Sequence, residues 1–387
     1  MTTSARRTAA AAASLAAAVT ALTGCGSSSG TKATGAAASP TTSAAASGGD
    51  SAAVTAAKTE YAAYLKAQTP LVIPALPAKP PSGKTITIVS CPAPVCAQET
   101  DPAAQAAKLL GWKVTASAPQ QSPENYQAAL NQIVADPTDF VALTPVTPDS
   151  FISKQLAALQ QAGSKVIEMS PSGSQPSADG PVQADVAGIP VFSKSGRLMG
   201  DAVVNDANGA ASTLFVWDPS IATVLGSVKD SYTQVVRSTG GSVAVLDVSF
   251  ANIGKTIPGQ VASYIQAHPK IKYVAYAVSD AATGVPQALA SAGLSGKVKM
   301  VSRAPSAATL ADIKSGAQLA SVGEENAAGG YRAVDLFARL AMGVDLGELR
   351  NTEGWHQIFD HSNVTSTSSA PVTPGYPDAF LTAWHLK

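Results

Sequence analysis

The chain has 387 residues, 45% of them hydrophobic and only 13% charged, with 26 basic and 26 acidic side chains. A formal net charge of zero argues against nucleic acid as a partner, because phosphate recognition needs a basic stripe, and against a polybasic membrane-binding face. The length suits two or three domains, and the segments rich in Val, Ile, Leu and Ala argue against a disordered chain.

Residues 1–25 read as an export signal. Arg6 and Arg7 form a positive start, and Ala9 to Leu22 is an apolar run too short to span a bilayer permanently. Leu22-Thr-Gly-Cys25 then resembles the lipobox of bacterial lipoproteins. That resemblance implies a lipidated Cys25, membrane attachment through two acyl chains and an extracytoplasmic location. The paired arginines leave general secretory and twin-Arg export both open. Residues 26–83 read as a flexible tether. Within it, Ala52 to Ala67 is expected to form a short helix, and Pro70 to Pro81 an extended connector.

From Lys84 the chain alternates strand and helix. Thr85 to Val89 is a β-branched strand, followed by a Pro-rich loop with Cys91 and Cys96 at its ends. In an exported protein, cysteines this close pair as a disulfide or remain as two buried thiols. Their spacing is not Cys-x-x-Cys, which argues against redox work. A helix is expected from about Ala103 to Leu110, then a strand at Trp112 to Ala116, a helix at Asn125 to Ala135 and a strand at Phe140 to Leu143. Further strands are expected at Lys165 to Met169 and Pro181 to Val186. The rhythm then restarts, with strands at Thr213 to Trp217, Ser242 to Val248, Tyr273 to Val278, Lys297 to Val301 and Gln318 to Val322. Ile221, Val224, Leu225, Val228, Tyr232 and Val235 draw a helical stripe between the first two of these. Such βαβ units build parallel sheets, and about ten strands suit two doubly wound lobes better than one barrel.

Several chemical motifs fail. Ser249 and Ala78 stand where a phosphate loop ending in Gly254-Lys-Thr256 or Gly83-Lys-Thr85 needs its first glycine. No Gly-x-Gly-x-x-Gly follows a strand, and no Gly-x-Ser-x-Gly elbow occurs. His268, His356, His361 and His385 never sit at metal-ligand spacing with Cys or acids. Glu324 and Glu325 end a strand and point to opposite sides, so they make no carboxylate dyad. No catalytic residue, metal or cofactor is therefore expected.

Signal, tether, Thr85-Ile-Thr-Ile-Val-Ser-Cys91, "LGWKVTASA", "FVALTPVTPDSFISKQLAALQQAGSKVIEMSP" and "YPDAFLTAWHLK" resemble the sugar-type type I periplasmic substrate-binding proteins of ABC importers. The likeness runs from Lys84 to Lys387. It implies an α/β fold of two doubly wound parallel-sheet lobes joined by a three-strand hinge. It places residues 84–186 and 304–348 in the first lobe, and 187–303 and 349–387 in the second. It also implies a monomer that holds a small polar solute in the cleft and hands it to an ABC transporter permease, without chemistry.

The resemblance carries ligand contacts to Ser90, Cys91, Glu99, Thr144, Ser170, Asp185, Asp218, Phe250, Asp280, Arg303 and Glu324. Asp280 matches the step that members use for hydroxyls, and is equally read as a helix N-cap. Trp217 and Phe250 either stack on a sugar ring or belong to the core. Arg303 stands where sugar binders usually offer an Asp. It suits a carboxylate or phosphate, or makes a hinge ion pair with Asp185 or Glu324. A receptor presenting its ligand to a membrane sensor kinase is the nearest rival function. An extracytoplasmic enzyme is the more distant one.

Overall fold

The computed structural model describes residues 51–120, 122–144, 147–173 and 175–387. Residues 1–50, where the expected export signal and Cys25 fall, lie outside the described residues. Helix α1 (Ala52–Leu65) starts at Ser51, whose hydroxyl caps the Val54 N–H. The first sheet then forms from β1 (Thr85–Val89), β2 (Lys113–Ser117), β3 (Phe140–Leu143), β4 (Lys165–Glu168) and the two-residue β5 (Ala184–Asp185). Its order is β2-β1-β3-β4-β5, parallel throughout. α2 (Pro94–Leu109), α3 (Pro123–Ala135) and α4 (Ser153–Gln161) connect these strands. β3 is buried at all four residues, as a strand covered on both faces must be.

The second half runs α5 (Ile189–Ala207), β6 (Ser212–Trp217), α6 (Ala222–Ser238), β7 (Ser242–Asp247), α7 (Ile257–Ala267), β8 (Tyr273–Tyr276), α8 (Val285–Ser291), β9 (Lys299–Arg303), α9 (Ala307–Ser315) and β10 (Ala320–Glu324). α10 (Asn326–Ala341), β11 (His356–Asp360) and α11 (Tyr376–Ala383) finish the chain. The second sheet has the order β11-β10-β9-β8-β6-β7, with only β11 antiparallel to its neighbour. Both sheets are doubly wound, and each reverses its order beside its first strand, at β1/β3 and at β6/β8. Open α/β sheets leave a crevice at the carboxyl ends of the strands there.

Three expectations need correction. α2 begins at Pro94, not near Ala103, because proline suits a first helical position and the supposed loop is already the helix's first turn. Residues 304–324 lie with the second lobe, since β10 pairs with β9 and β11. The chain returns to the first lobe only at α10, whose Tyr331, Val334 and Phe337 join Ile86, Ala103 and Phe140 in one core. The C-terminal helix also belongs to that core, through Phe380 and Trp384, and not to the second lobe.

The third correction concerns residues 51–83, which are docked rather than free. Val54 and Ala57 pack on Val204 of α5. Glu60 takes ion pairs from Lys194 and Arg197, each at 2.9 Å. Tyr61 donates to Asp360 at 2.5 Å. The proline segment then crosses to the first lobe. Leu76 is buried there, its N–H bonded to the Ala383 carbonyl at 2.9 Å, and Trp112 Nε1 donates to the Pro81 carbonyl at 2.8 Å. Residues 51–83 therefore strap one lobe to the other. Among the described residues no helix is long and apolar enough to cross a membrane.

Candidate functional site

Between the lobes lies a cavity of about 530 Å³, lined from both sheets' carboxyl ends. A volume of this order suits a small ligand buried on most of its surface. From the first lobe come the 91–96 turn, Glu99, Thr144 and Ser170. From the second come Asp218, Phe250, Asp280, Arg303 and Glu324. Nine of the eleven residues assigned to ligand contact thus line one space.

The other two do not. The Ser90 hydroxyl turns to the Cys91 carbonyl at 3.1 Å and to Thr100 Oγ1 at 3.2 Å, so it ties β1 to α2. Asp185 is buried at the hinge, where its backbone bridges to Asn351. Burial pushes its carboxyl up to about 7. A Cβ on Gly188 would stand 3.0 Å from Asp185 Oδ2 and 2.8 Å from Asn351 Oδ1, so the crossing needs glycine for room.

Cys91 and Cys96 form a disulfide that closes the first turn of α2 at the cavity wall. So short a loop gains little chain entropy; the bond instead fixes where that helix presents its first N–H groups. Beside Cys96, the Val95 N–H lies near Asp280 of the opposite lobe. Burial pushes the Asp280 carboxyl upward, and the nearby Val95 N–H opposes it. Asp280 is not the helix N-cap considered from sequence, since Gly284 holds that place before α8.

Arg303 meets Glu324 bidentately, with Nε to Oε1 at 2.5 Å, and its guanidinium stacks over Phe192 at 4.1 Å. Ser195 also donates to Glu324. Burial alone would raise the Glu324 carboxyl, but the Arg303 charge and these bonds hold it below the ordinary range. The ion pair with Glu324 is therefore the reading of Arg303 that the geometry supports, and no free guanidinium faces the cavity for a carboxylate or phosphate. Glu325 points away from Glu324, to Arg332 Nε at 2.6 Å and the Trp355 N–H at 2.8 Å.

Asp218 is committed to loops: Oδ1 accepts Ser220 N–H and hydroxyl at 2.9 and 2.7 Å, and Oδ2 accepts Phe250 N–H at 2.8 Å. It thereby sets Phe250 at the cavity wall. Trp217 is core. Its Nε1 donates to Asp247 at 2.8 Å, and it does not line the cavity. Thr144 Oγ1 is buried without a partner among the described residues. Sequence reasoning missed Phe192, Ile221, Leu225 and Asn326, which also line the cavity. The helical stripe had marked Ile221 and Leu225, but as core.

The sequence profile of the periplasmic binding protein domain matches residues 95–345. Among curated proteins none matches. Among solved structures, a galactofuranose binding protein is 17% identical, with TM-score 0.66, covering 78% of this chain and 99% of its own. An ABC transporter solute binding protein from Agrobacterium vitis with bound allitol is 20% identical, with TM-score 0.64, covering 73% and 97%. One from Mycobacterium smegmatis with bound glycerol is 19% identical, with TM-score 0.63, covering 75% and 100%. These structures share the two-lobed type I fold. The chain therefore belongs to the periplasmic binding protein domain family.

Proposed function

We propose that the protein is a lipid-anchored extracytoplasmic receptor that captures a small polar solute between its lobes and delivers it to an ABC transporter permease. The observation that carries this reading is the cavity lined from both lobes. Solute held there favours the closed arrangement through contacts that only closure completes. Relatives of the same fold hold allitol and glycerol, which supports a compact solute. The lipobox-like Leu22 to Cys25 supports the anchor, and family membership supports the transporter partner.

A thermal-shift screen of sugars, polyols and amines tests the first claim. A solute at a hundred times its dissociation constant adds about 2.7 kcal/mol to stability. Turnover of a bound solute in place of reversible release would overturn the receptor reading. Mass spectrometry of the Cys25→Ala variant tests the anchor: the diacylglyceryl mass must vanish and the protein must leave the membrane fraction.

A further inference from the structure

Five carboxylates line the cavity: Glu99, Asp218, Asp280, Glu324 and Glu325. Among the described residues only Arg303 and Lys255 line it as cations. Arg303 is consumed by Glu324, and Glu325 is neutralised by Arg332 from α10. Lys255 is exposed and donates to the Ala251 carbonyl at 3.1 Å. Glu99 and Asp280 are the carboxylates this leaves unanswered; Asp280 Oδ2 is buried without a partner among the described residues, and Glu99 is the more deeply buried residue. It is 8% exposed, lines the cavity, and its carboxyl has no hydrogen-bond partner among the described residues. A Cβ on Gly329 would stand 3.1 Å from Glu99 Oε1, so the helix opposite offers bare backbone there and no counter-charge.

Resting on the receptor reading above, we infer that the cavity selects a small organic cation whose ammonium group pairs with Glu99. A buried carboxylate without a partner is costly, and a charge-assisted bond from an ammonium answers it. Phe250 offers an aromatic face in the same cavity, which suits a cation as well as a C–H surface. A metal ion fits less well, because among the described residues no three acids, His or Cys converge on one point. Burial, together with the carboxylates of Asp185, Glu324 and Glu325 and against the pull of Arg303, pushes the Glu99 carboxyl well above its ordinary range. The free protein therefore holds the Glu99 proton more tightly than an ordinary carboxyl does. An arriving ammonium displaces that proton to solvent and leaves a carboxylate–ammonium pair; a neutral sugar leaves the proton in place.

Calorimetry on the full chain near neutral pH, with matched probe pairs, separates the cases: glucosamine and glucose, phenethylamine and phenethyl alcohol, putrescine and butanediol. The expected result is that at least one amine binds about ten-fold or more tighter than its hydroxyl partner. Repeating the titration in buffers of different ionisation heat should show net proton release when the amine binds. Glu99→Gln, which keeps the shape and removes the ionisable proton, should abolish that release and the preference for the amine. The proton count on the unaltered protein stands even if the variant folds poorly. A neutral member that binds as tightly as its amine, with no proton released, overturns the cation inference and leaves the solute receptor intact. Binding by no member of any pair overturns both.

Discussion

Asp280, beyond β8 in the second lobe, lies near the backbone N–H of Val95, in the first turn of α2 in the first lobe, and both line the cavity. A carboxylate of one half thus sits by a helix start of the other, where negative charge is favoured. Asp280→Ala should remove this attraction and shift the chain toward its open form. An attraction of this kind contributes about 0.3–1 kcal/mol, so affinity for an identified solute should fall a few-fold while the radius of gyration rises. Unchanged affinity by calorimetry would remove Asp280 from the site.

The Arg303–Glu324 pair sits with side chains 5% and 2% exposed. Glu324→Ala strands the guanidinium and should cost about 3–5 kcal/mol in urea unfolding. Joining it to Arg303→Met should recover most of the loss, because an apolar pair of similar volume leaves no buried charge. Equal losses in the single and double variants would mean that the pair is not what holds β9 and β10 at the hinge.

Asp201 on α5 faces Glu60 of α1, with Arg197 and Lys194 alongside. Burial and Glu60 push its carboxyl from 3.8 up to about 8, and the two cations oppose the rise. Asp185 moves the same way, to about 7. Between pH 4 and 8 these two carboxyls therefore bind more protons in the folded chain than in the unfolded one, and their contribution to stability falls as pH rises, against the opposite slope of buried His356, whose imidazole burial holds below its ordinary value. Each such group contributes at most about 1.4 kcal/mol per pH unit. Asp201→Asn should flatten the fall in melting temperature across that window, and its advantage over the parent should grow up to about pH 8. An advantage that shrinks from pH 5 to 8 would contradict this.

Gly330 on α10 lies against α2 so closely that a Cβ would stand 2.2 Å from the Glu99 carbonyl and 2.7 Å from the Ala103 N–H. Gly330→Ala must push α2 outward. It should cost about 1–3 kcal/mol and, because α2 carries Val95 and Glu99, weaken solute binding as well. An alanine variant with the parent's melting temperature and affinity would show that the two helices have slack between them.

Much of this architecture is legible in local pattern. Thr85 to Val89 and Phe140 to Leu143 declare buried strands through β-branching and continuous apolarity, and nine of the eleven residues to which the family resemblance carries ligand contacts line the cavity. The failures are non-local. Nothing near Ala320 says that β10 pairs with β9 and not with the first sheet, and nothing near Phe380 says which lobe it fills. The true start of α2 was written at Pro94, a proline at a first helical position, but Pro92-Ala-Pro94 between two cysteines reads more simply as loop. Glu60 finds its partner Lys194 across 134 positions, a distance no periodicity spans.

Glu60 and its neighbours also fix which half the chain upstream of residue 51 joins. α1 is seated on α5 and β11, so any pull transmitted from upstream of residue 51 arrives at the second half and not at the first. A protein moored by its front end would then hold that half near the bilayer and let the other swing, with the proline strap as a leash whose length caps how wide the mouth can gape.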